Sequence, residues 1–460
     1  MEGVLGLVGS VANELALFAA VGFALWGLDD LLVDAIWIGR TLWRRVAVYR
    51  RHPRAHAENL NARPAPGGLA VLVPAWEESR VIGLMLGHAL RVWRDPDVTI
   101  FVGCYPNDPA THAVVSAIGD ARVRAVITPN PGPTTKADCL NALYREMCDL
   151  ERARGQRFAA AVLHDAEDVV HGAEPAVFGA LLHKAALIQL PVLPLIDGRS
   201  RWISGHYCDE FAESHGKELV VREAVGAAVP SAGVACAIRR DALEALADAV
   251  GGEPFNPRSL TEDYEMGLRL HALGFHGMFV RLPAAAASRV VSTREHFPAT
   301  LDAAVRQKAR WMTGIALAGW DRLGWSGSVA ERWMQLRDRR GPLCALVLCV
   351  GYLALLLWGA AGLVAFLGGP AVAQPGPLLR ALLGLNLGLL AWRLLVRFGF
   401  VAQAYGWREG LRSVPRVLVA NAIAMAAARR AVGLYLAERR TGRTRWEKTE
   451  HFFPEAVPAE

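Results

Sequence analysis

The sequence is poor in lysine. Only five of its 50 basic residues are lysine (Lys136, Lys184, Lys217, Lys308 and Lys448), and the rest are arginine. A lysine here therefore marks a position where a compact ammonium suits better than a planar fork. The chain also lacks a cysteine framework. It has 7 cysteines, an odd number, and none forms a C-x-x-C pair. That excludes a disulfide scaffold and a cysteine zinc site, and it fits a reducing compartment. A secretory leader is not expected, since the N-terminus reads poorly as a signal peptide, with Glu2 and Glu14 in the region where positive charge belongs. Internal repeats and low-complexity tracts are absent. So is any stripe of interleaved aromatic and basic residues, and nucleic acid is not an expected partner despite a net charge of +6.

What is present is an intermediate apolarity. A hydrophobic share of 53% is high for a soluble enzyme and low for a protein wholly in a bilayer, so a mixed architecture is expected. The run 15–28, "LALFAAVGFALWGL", extended backwards, can span a bilayer. An arginine cluster follows it, which orients this helix from outside to inside, and 29–51 reads as an amphipathic helix at the inner surface. Two further spans are expected within 336–402, joined by an uncharged loop with Pro370, Pro375 and Pro377. In the next apolar stretch Arg429 and Arg430 would lie at bilayer depth, which is costly, so 403–460 reads as an interfacial helix and a cytoplasmic tail. The expected divisions are thus 1–58, 59–335, 336–402 and 403–460, with three spans and with the catalytic domain and C-terminus inside.

Residues 59–335 read as a soluble α/β domain. "GGLAVLVPAW", "DVTIFVGCYP", "ARVRAVITPN" and "RFAAAVLHDAED" are strands separated by helical sequence. Alternation of this kind implies a Rossmann-like, mostly parallel sheet with helices on both faces. Ligands sit beyond the carboxyl ends of such strands. That puts 74–78, 105–108 and 164–168 on one rim.

Five stretches carry polar chemistry at element ends. "LVPAWEES" (72–79) delivers Pro74, Trp76, Glu77 and Glu78 from a strand, suited to a base and ribose, although acids also suit a plain helix start. "TTKADCLN" (134–141) sets Lys136 at a loop-to-helix junction, where backbone N–H groups favour phosphate; a solvated lysine is the alternative. In "VLHDAEDVVH" (162–171), Asp165 and Glu167 alternate at a strand end and can face one cation. Oxygen ligands of this kind suit Mg2+ or Mn2+ on a substrate diphosphate, with His164 and His171 as further candidates. In "SLTEDYEMGLRLHALGF" (259–275), Thr261 reads as an N-cap, Glu262 and Asp263 open the helix, and Gly274 ends it; alone, this is capping. In "RQKARWMTG" (306–314), Gln307, Arg310 and Trp311 share one helix face and suit a sugar, unless Trp311 is only a headgroup-level anchor.

In this order, with membrane helices behind them, the elements resemble the processive membrane-bound inverting glycosyltransferases of family 2, which have the GT-A fold. The stretches "YPNDPAT", "TTKADCLN", "HDAEDVVH", "GHYCDEFAESH", "REHFPATLDAAVRQKARW" and "RTRWEKTEHFFP" carry a narrower likeness to NfrB-type inner-membrane synthases, whose exopolysaccharide serves as a phage receptor. The resemblance covers nearly the whole chain. It implies that Glu78, with Pro74, Trp76, Glu77, Asp108, Lys136 and Asp165, binds the donor nucleotide. It also implies that Asp165 and Glu167 hold Mg2+ or Mn2+, that Asp263 with Glu262 in support is the base, and that Thr261, Gln307, Arg310 and Trp311 meet the diphosphate and acceptor. There are departures. Glu77 stands where the pattern has Asn, Glu167 replaces an Asp, and Gly103 and Cys104 follow the second strand where an Asp is usual.

The implied activity is transfer of a sugar, N-acetylhexosamine from a UDP-sugar donor, to a growing polysaccharide acceptor, with help in its export. A single displacement with inversion is expected, with the base held ionised at a helix N-terminus. Two other readings stay open: a single-addition transferase acting on a lipid carrier, and a catalytically silent scaffold. The implied setting is the bacterial inner membrane, multi-pass. The implied partners are the lipid bilayer, an outer-membrane export partner and a separate cyclic-dinucleotide-binding regulator, since the chain ends at Glu460.

Overall fold

The computed structural model describes residues 2–60, 66–95, 97–286, 288–369, 374–442 and 452–454. At its centre is a seven-stranded sheet of β1 (Leu69–Pro74), β2 (Val98–Cys104), β3 (Val123–Ile127), β4 (Ala160–Leu163), β5 (Leu187–Gln189), β6 (Cys236–Arg239) and β7 (Gly277–Phe279). The strand order is β3-β2-β1-β4-β6-β5-β7. The first four strands are parallel, β6 runs antiparallel to β4 and β5, and β7 is parallel to β5. The four strands legible in the sequence are all present. The other three have only three or four residues each, too few to carry a period of two.

Both faces of the sheet are buried, which is why its strands read as unbroken apolar runs. Val71, Val73, Ile100, Val102 and Val162 pack on one side, under the helix Ile82–Val92. Ala70, Leu72, Phe101, Ala161 and Leu163 pack on the other, against the helix Lys136–Arg154. The register aligns Leu72 with Leu163 and Pro74 with Gly103. The carboxyl ends of β1, β2 and β4 therefore open on one edge, where a parallel sheet offers a crevice.

Four helices are long and apolar enough to cross a membrane: Gly6–Val48, Gly341–Phe366, Pro377–Tyr405 and Trp407–Thr441. The sequence reading expected three, and the difference is the last. Its apolar run looks short because Arg429 and Arg430 interrupt it, but the helix continues through both, and through Pro415, for 35 residues. The break expected near residue 29 is also absent, since the first helix runs unbroken over Glu2–Trp43.

The helix Trp407–Thr441 packs along the helices Pro377–Tyr405 and Gly341–Phe366 and also along Leu301–Met312 and Ile203–Glu213 of the sheet-containing domain. Near its start Arg416 donates to the Gly205 carbonyl at 2.6 Å and pairs with Asp209 at 3.0 Å and Glu409 at 2.5 Å. Midway, Ala427 and Ala431 pack on Ala309. Near its end Tyr435 and Arg439 reach Asp321 at 2.6 and 3.1 Å.

A second set of charges ties the first helix to the rest. Asp29, Asp30 and Asp34 face Arg337, Arg340, Arg393 and Lys217, with Arg340 to Asp29 at 2.7 Å and Lys217 to Asp34 at 2.5 Å. Lys217 also meets Glu213 at 2.9 Å. Arg337, Arg340 and Arg393, beside the apolar helices, are thus neutralised within the protein.

Arg416 is 1% exposed, so removing it strands the buried Asp209 and leaves Glu409 only its pair with Arg412. Arg416→Leu is expected to cost about 3–5 kcal/mol, read as a lower melting temperature of the detergent-solubilised protein. Adding Asp209→Asn and Glu409→Gln should recover much of that loss, because no unpaired charge then stays buried.

Candidate active site

Beyond the ends of β1, β2 and β4 lies a cavity of about 180 Å³. On its first wall Trp76 stands edge-on to Tyr105 at 4.9 Å, and the Tyr105 hydroxyl meets Thr134 Oγ1 at 2.9 Å. Asn107 holds the facing loop by both backbone groups of Gly132, at 2.7 and 2.8 Å. A Cβ at Gly132 would strike the Trp76 ring. Pro74 and Glu78 line this wall as well.

Glu77 and Asp108, expected as donor contacts, do not line the cavity. Glu77 is a left-handed turn residue, with φ 54°, whose N–H donates to Asp108 Oδ2 at 2.6 Å. Asp108 also caps the helix Pro109–Ser116 by accepting from the Thr111 N–H at 3.2 Å. The pair supports the turn that carries Trp76 and Glu78.

Lys136, Asp165, Glu167, Glu262, Asp263 and Glu295 meet in the middle of the cavity. Lys136 Nζ lies 2.6 Å from Asp165 Oδ1 and donates to the Gly233 carbonyl at 3.3 Å. Burial alone would favour the neutral amine, but the charges of Asp165, Glu262 and Asp263 outweigh it and hold the ammonium protonated. Burial and the charge of Asp263 push Glu262 up to about 7. Asp263 is raised too, first by burial and then by Asp165, with Lys136 opposing. The expectation of a low pKa at Asp263 is therefore reversed, because desolvation exceeds what the helix N-terminus gives back. Gly233, with φ 78°, makes this packing possible: a Cβ there would sit 2.6 Å from Asp263 Oδ2 and 3.3 Å from Lys136 Nζ.

His164 and His171, candidates as metal ligands, lie outside the cavity lining. His164 is fully buried between Asp168 at 2.6 Å and Glu174 at 3.0 Å. Burial would depress it, but Glu174 and Asp168 prevail and push it up to about 10. Asp168 Oδ2 also accepts the Asp165 N–H at 3.1 Å, so this buried cluster pins the turn that presents Asp165. His171 Nδ1 accepts from the Ala173 N–H at 3.1 Å.

The far wall comes from Thr261, Gln307, Arg310 and Trp311, with Phe211 and Phe297. Thr261 does not cap its helix. Among the described residues its Oγ1 is buried without a hydrogen-bond partner, as is Gln307 Oε1, so both suit a ligand. The Trp311 ring lies 6.2 Å from Phe297 and 6.4 Å from Phe211.

Among the described residues no group of three or more His, Cys, Asp or Glu side chains could hold a metal unaided. The donor set still fits a hard divalent cation. Asp165 and Glu167 are oxygen donors in a cavity crowded with acids, and Mg2+ commonly takes one or two carboxylates and completes its shell from phosphate and water.

A family model described as glycosyltransferase like family 2 matches residues 66–314. The chain belongs to glycosyltransferase family 2. It is 38% identical over 467 residues to bacteriophage adsorption protein B of Escherichia coli strain K12, and equally to bacteriophage N4 adsorption protein B of Escherichia coli O157:H7. Those alignments take in 96% of this chain and 62% of each relative, so the chain spans under two thirds of their length. Among solved structures it is similar to the mannosyltransferase PcManGT from Pyrobaculum calidifontis, in complex with GDP-Man and Mn2+. The TM-score is 0.52 with 15% identity, covering 92% of this chain and 99% of that one. At that identity the likeness establishes the fold, a GT-A-type sheet carrying long apolar helices.

Three contributors escaped the sequence reading. Phe211 and Phe297 look like ordinary core residues. Glu295 lies in the "REHFP" stretch, about 130 residues from Asp165, and backbone bridges from Val169 to Arg294 and from Val192 to Thr293 bring it near.

The raised pair makes a pH prediction. After burial, the charge of Asp263 is what lifts Glu262 to about 7. Asp263→Asn removes that charge, so Glu262 is expected to ionise at lower pH, read as an earlier rise of its carboxylate band in a pH series of infrared difference spectra. A band that rises at the same pH in wild type and variant would rule out coupling between the two acids.

Proposed function

We propose that the protein is an inverting, metal-assisted glycosyltransferase of the bacterial inner membrane, which adds N-acetylhexosamine from a UDP donor to a growing exopolysaccharide and helps export it. The observation that carries this reading is one cavity in which Asp263 and Lys136 flank Gly233, opposite the face of Gln307, Arg310 and Trp311. The relatives are phage adsorption proteins, which supports a surface glycan as the product.

The roles follow from position. Trp76 and Tyr105 offer aromatic surface to the base, and Glu78 suits the ribose hydroxyls. Lys136 and Arg310 hold the diphosphate. The divalent ion, when bound at Asp165 and Glu167, neutralises charge on that diphosphate. Trp311 and Phe297 give the acceptor sugar an apolar face, and Thr261 Oγ1 and Gln307 Oε1 suit its hydroxyls. Asp263 takes the proton of the acceptor hydroxyl as its oxygen bonds to the anomeric carbon. The bond from that carbon to the phosphate oxygen breaks, and its electron pair leaves with the diphosphate. Attack opposite the leaving group inverts the centre, and no carboxylate nucleophile is needed.

In this reading three helices cross the bilayer and Trp407–Thr441 lies along its cytoplasmic side. Contacts to the catalytic domain at its start, middle and end support that arrangement. The test is UDP release by the detergent-solubilised protein, given UDP-N-acetylhexosamines. Turnover should require Mg2+ or Mn2+, and Asp263→Asn should lower kcat by about 10²–10⁴-fold. An Asp263→Asn strain with an unchanged envelope would favour the scaffold reading instead.

A further inference from the structure

The stretch "RTRWEKTEHFFP" has no part in the mechanism above, yet its end lies on the sheet-containing domain. Phe453 is half-buried and packs against the apolar cluster that holds Met85, Ala89 and Val170. Its ring lies 6.4 Å from the His88 ring, tilted by 56°, a spacing at which aromatic rings attract. The neighbouring Phe452 is 56% exposed. One ring of the pair is therefore seated and the other is not.

His88 belongs to the helix Ile82–Val92 and is itself buried. A carbonyl only accepts, so His88 Nε2 carries the proton and donates to the Val170 carbonyl at 2.9 Å. Among the described residues His88 Nδ1 is buried without a hydrogen-bond partner, so the bond to Val170 is the polar anchor of the ring. Just beyond the helix, Trp93 Nε1 donates to the His171 carbonyl at 3.1 Å. These two carbonyls end the turn 164–171, from which Asp165 and Glu167 line the cavity. Within the turn the Asp165 N–H donates to Asp168 at 3.1 Å and the Val169 N–H to the Arg294 carbonyl at 2.8 Å. A hydrogen bond shielded from water is stronger than an open one, and Phe453 covers the ring that makes the bond to Val170. We propose that Phe453 is a positioning residue: seated on His88, it shields that bond and so holds the turn that presents Asp165 and Glu167. The consequence for sugar transfer rests on the donor-site reading above, whereas the hold on the turn does not.

Amide hydrogen exchange of the detergent-solubilised full chain, followed by mass spectrometry, tests this. Phe453→Ala should speed exchange across 164–171 about twofold to tenfold, the worth of one hydrogen bond, while peptides from β2 exchange as in wild type. Phe452→Ala should match wild type, and Phe453→Tyr, which keeps the ring, should restore most of the protection. Unchanged exchange across 164–171 in Phe453→Ala would overturn the proposal. So would an equal acceleration in β2, since Phe453 would then only stabilise the domain as a whole. UDP release by the same samples separates the two levels. Faster exchange with slower release supports both. Faster exchange with unchanged release supports the hold on the turn and counts against the donor-site reading of Asp165.

Discussion

The site depends on one ammonium. Glu78, Asp165, Glu167, Glu262, Asp263 and Glu295 share a cavity with only Lys136 and Arg310 as cations in its lining. Acids packed this way repel one another and lose solvation, which is why the TED-helix pair and Glu295 sit above the usual carboxylate range. Lys136 holds them together because it reaches Asp165 and the Gly233 carbonyl from a helix start. In a chain that otherwise defaults to arginine, a compact ammonium here meets Asp165 and the Gly233 carbonyl together.

A second level of organisation links this cavity to the apolar helices. The helix bearing Gln307, Arg310 and Trp311 packs along Trp407–Thr441, which packs in turn on the two long helices before it. The TED helix is held from the same side. Tyr264 reaches Asp338 at 2.7 Å, Arg322 reaches Ser259 at 3.0 Å, and Gly314 rests on Thr261. Asp263 and the wall of Gln307, Arg310 and Trp311 are therefore both gripped by helices between the sheet and the apolar bundle. The wall of Trp76 and Tyr105 hangs from the sheet itself.

What could be read from the sequence was whatever is local. Continuous apolar runs marked β1 to β4, and acids or a lysine at their ends marked Trp76, Glu78, Lys136, Asp165 and Glu167. What could not be read is tertiary. Glu77 and Asp108 look like ligand-binding residues until the backbone bond between them shows a supported turn. His164 beside Asp165 looks like a ligand, yet the strand direction turns it into the core to meet Glu174. Thr261 has the composition of a cap, but its hydroxyl points elsewhere. The ionisation of Asp263 was misjudged for the same reason: the helix start is local, whereas burial and the opposing acids come from distant segments.

Gly233 has a consequence for how sequences of this kind can be compared. Neither its φ of 78° nor the 2.6 Å from a would-be Cβ to Asp263 tolerates a side chain. A single methyl group at this position could silence the centre while leaving every charged residue intact. A chain that keeps all the acidic and basic signatures but carries a larger residue at the equivalent of 233 would look like an enzyme by motif and differ in the spacing of its base. The position acts as a spacer gauge between Asp263 and Lys136, set by a residue that has no chemistry of its own.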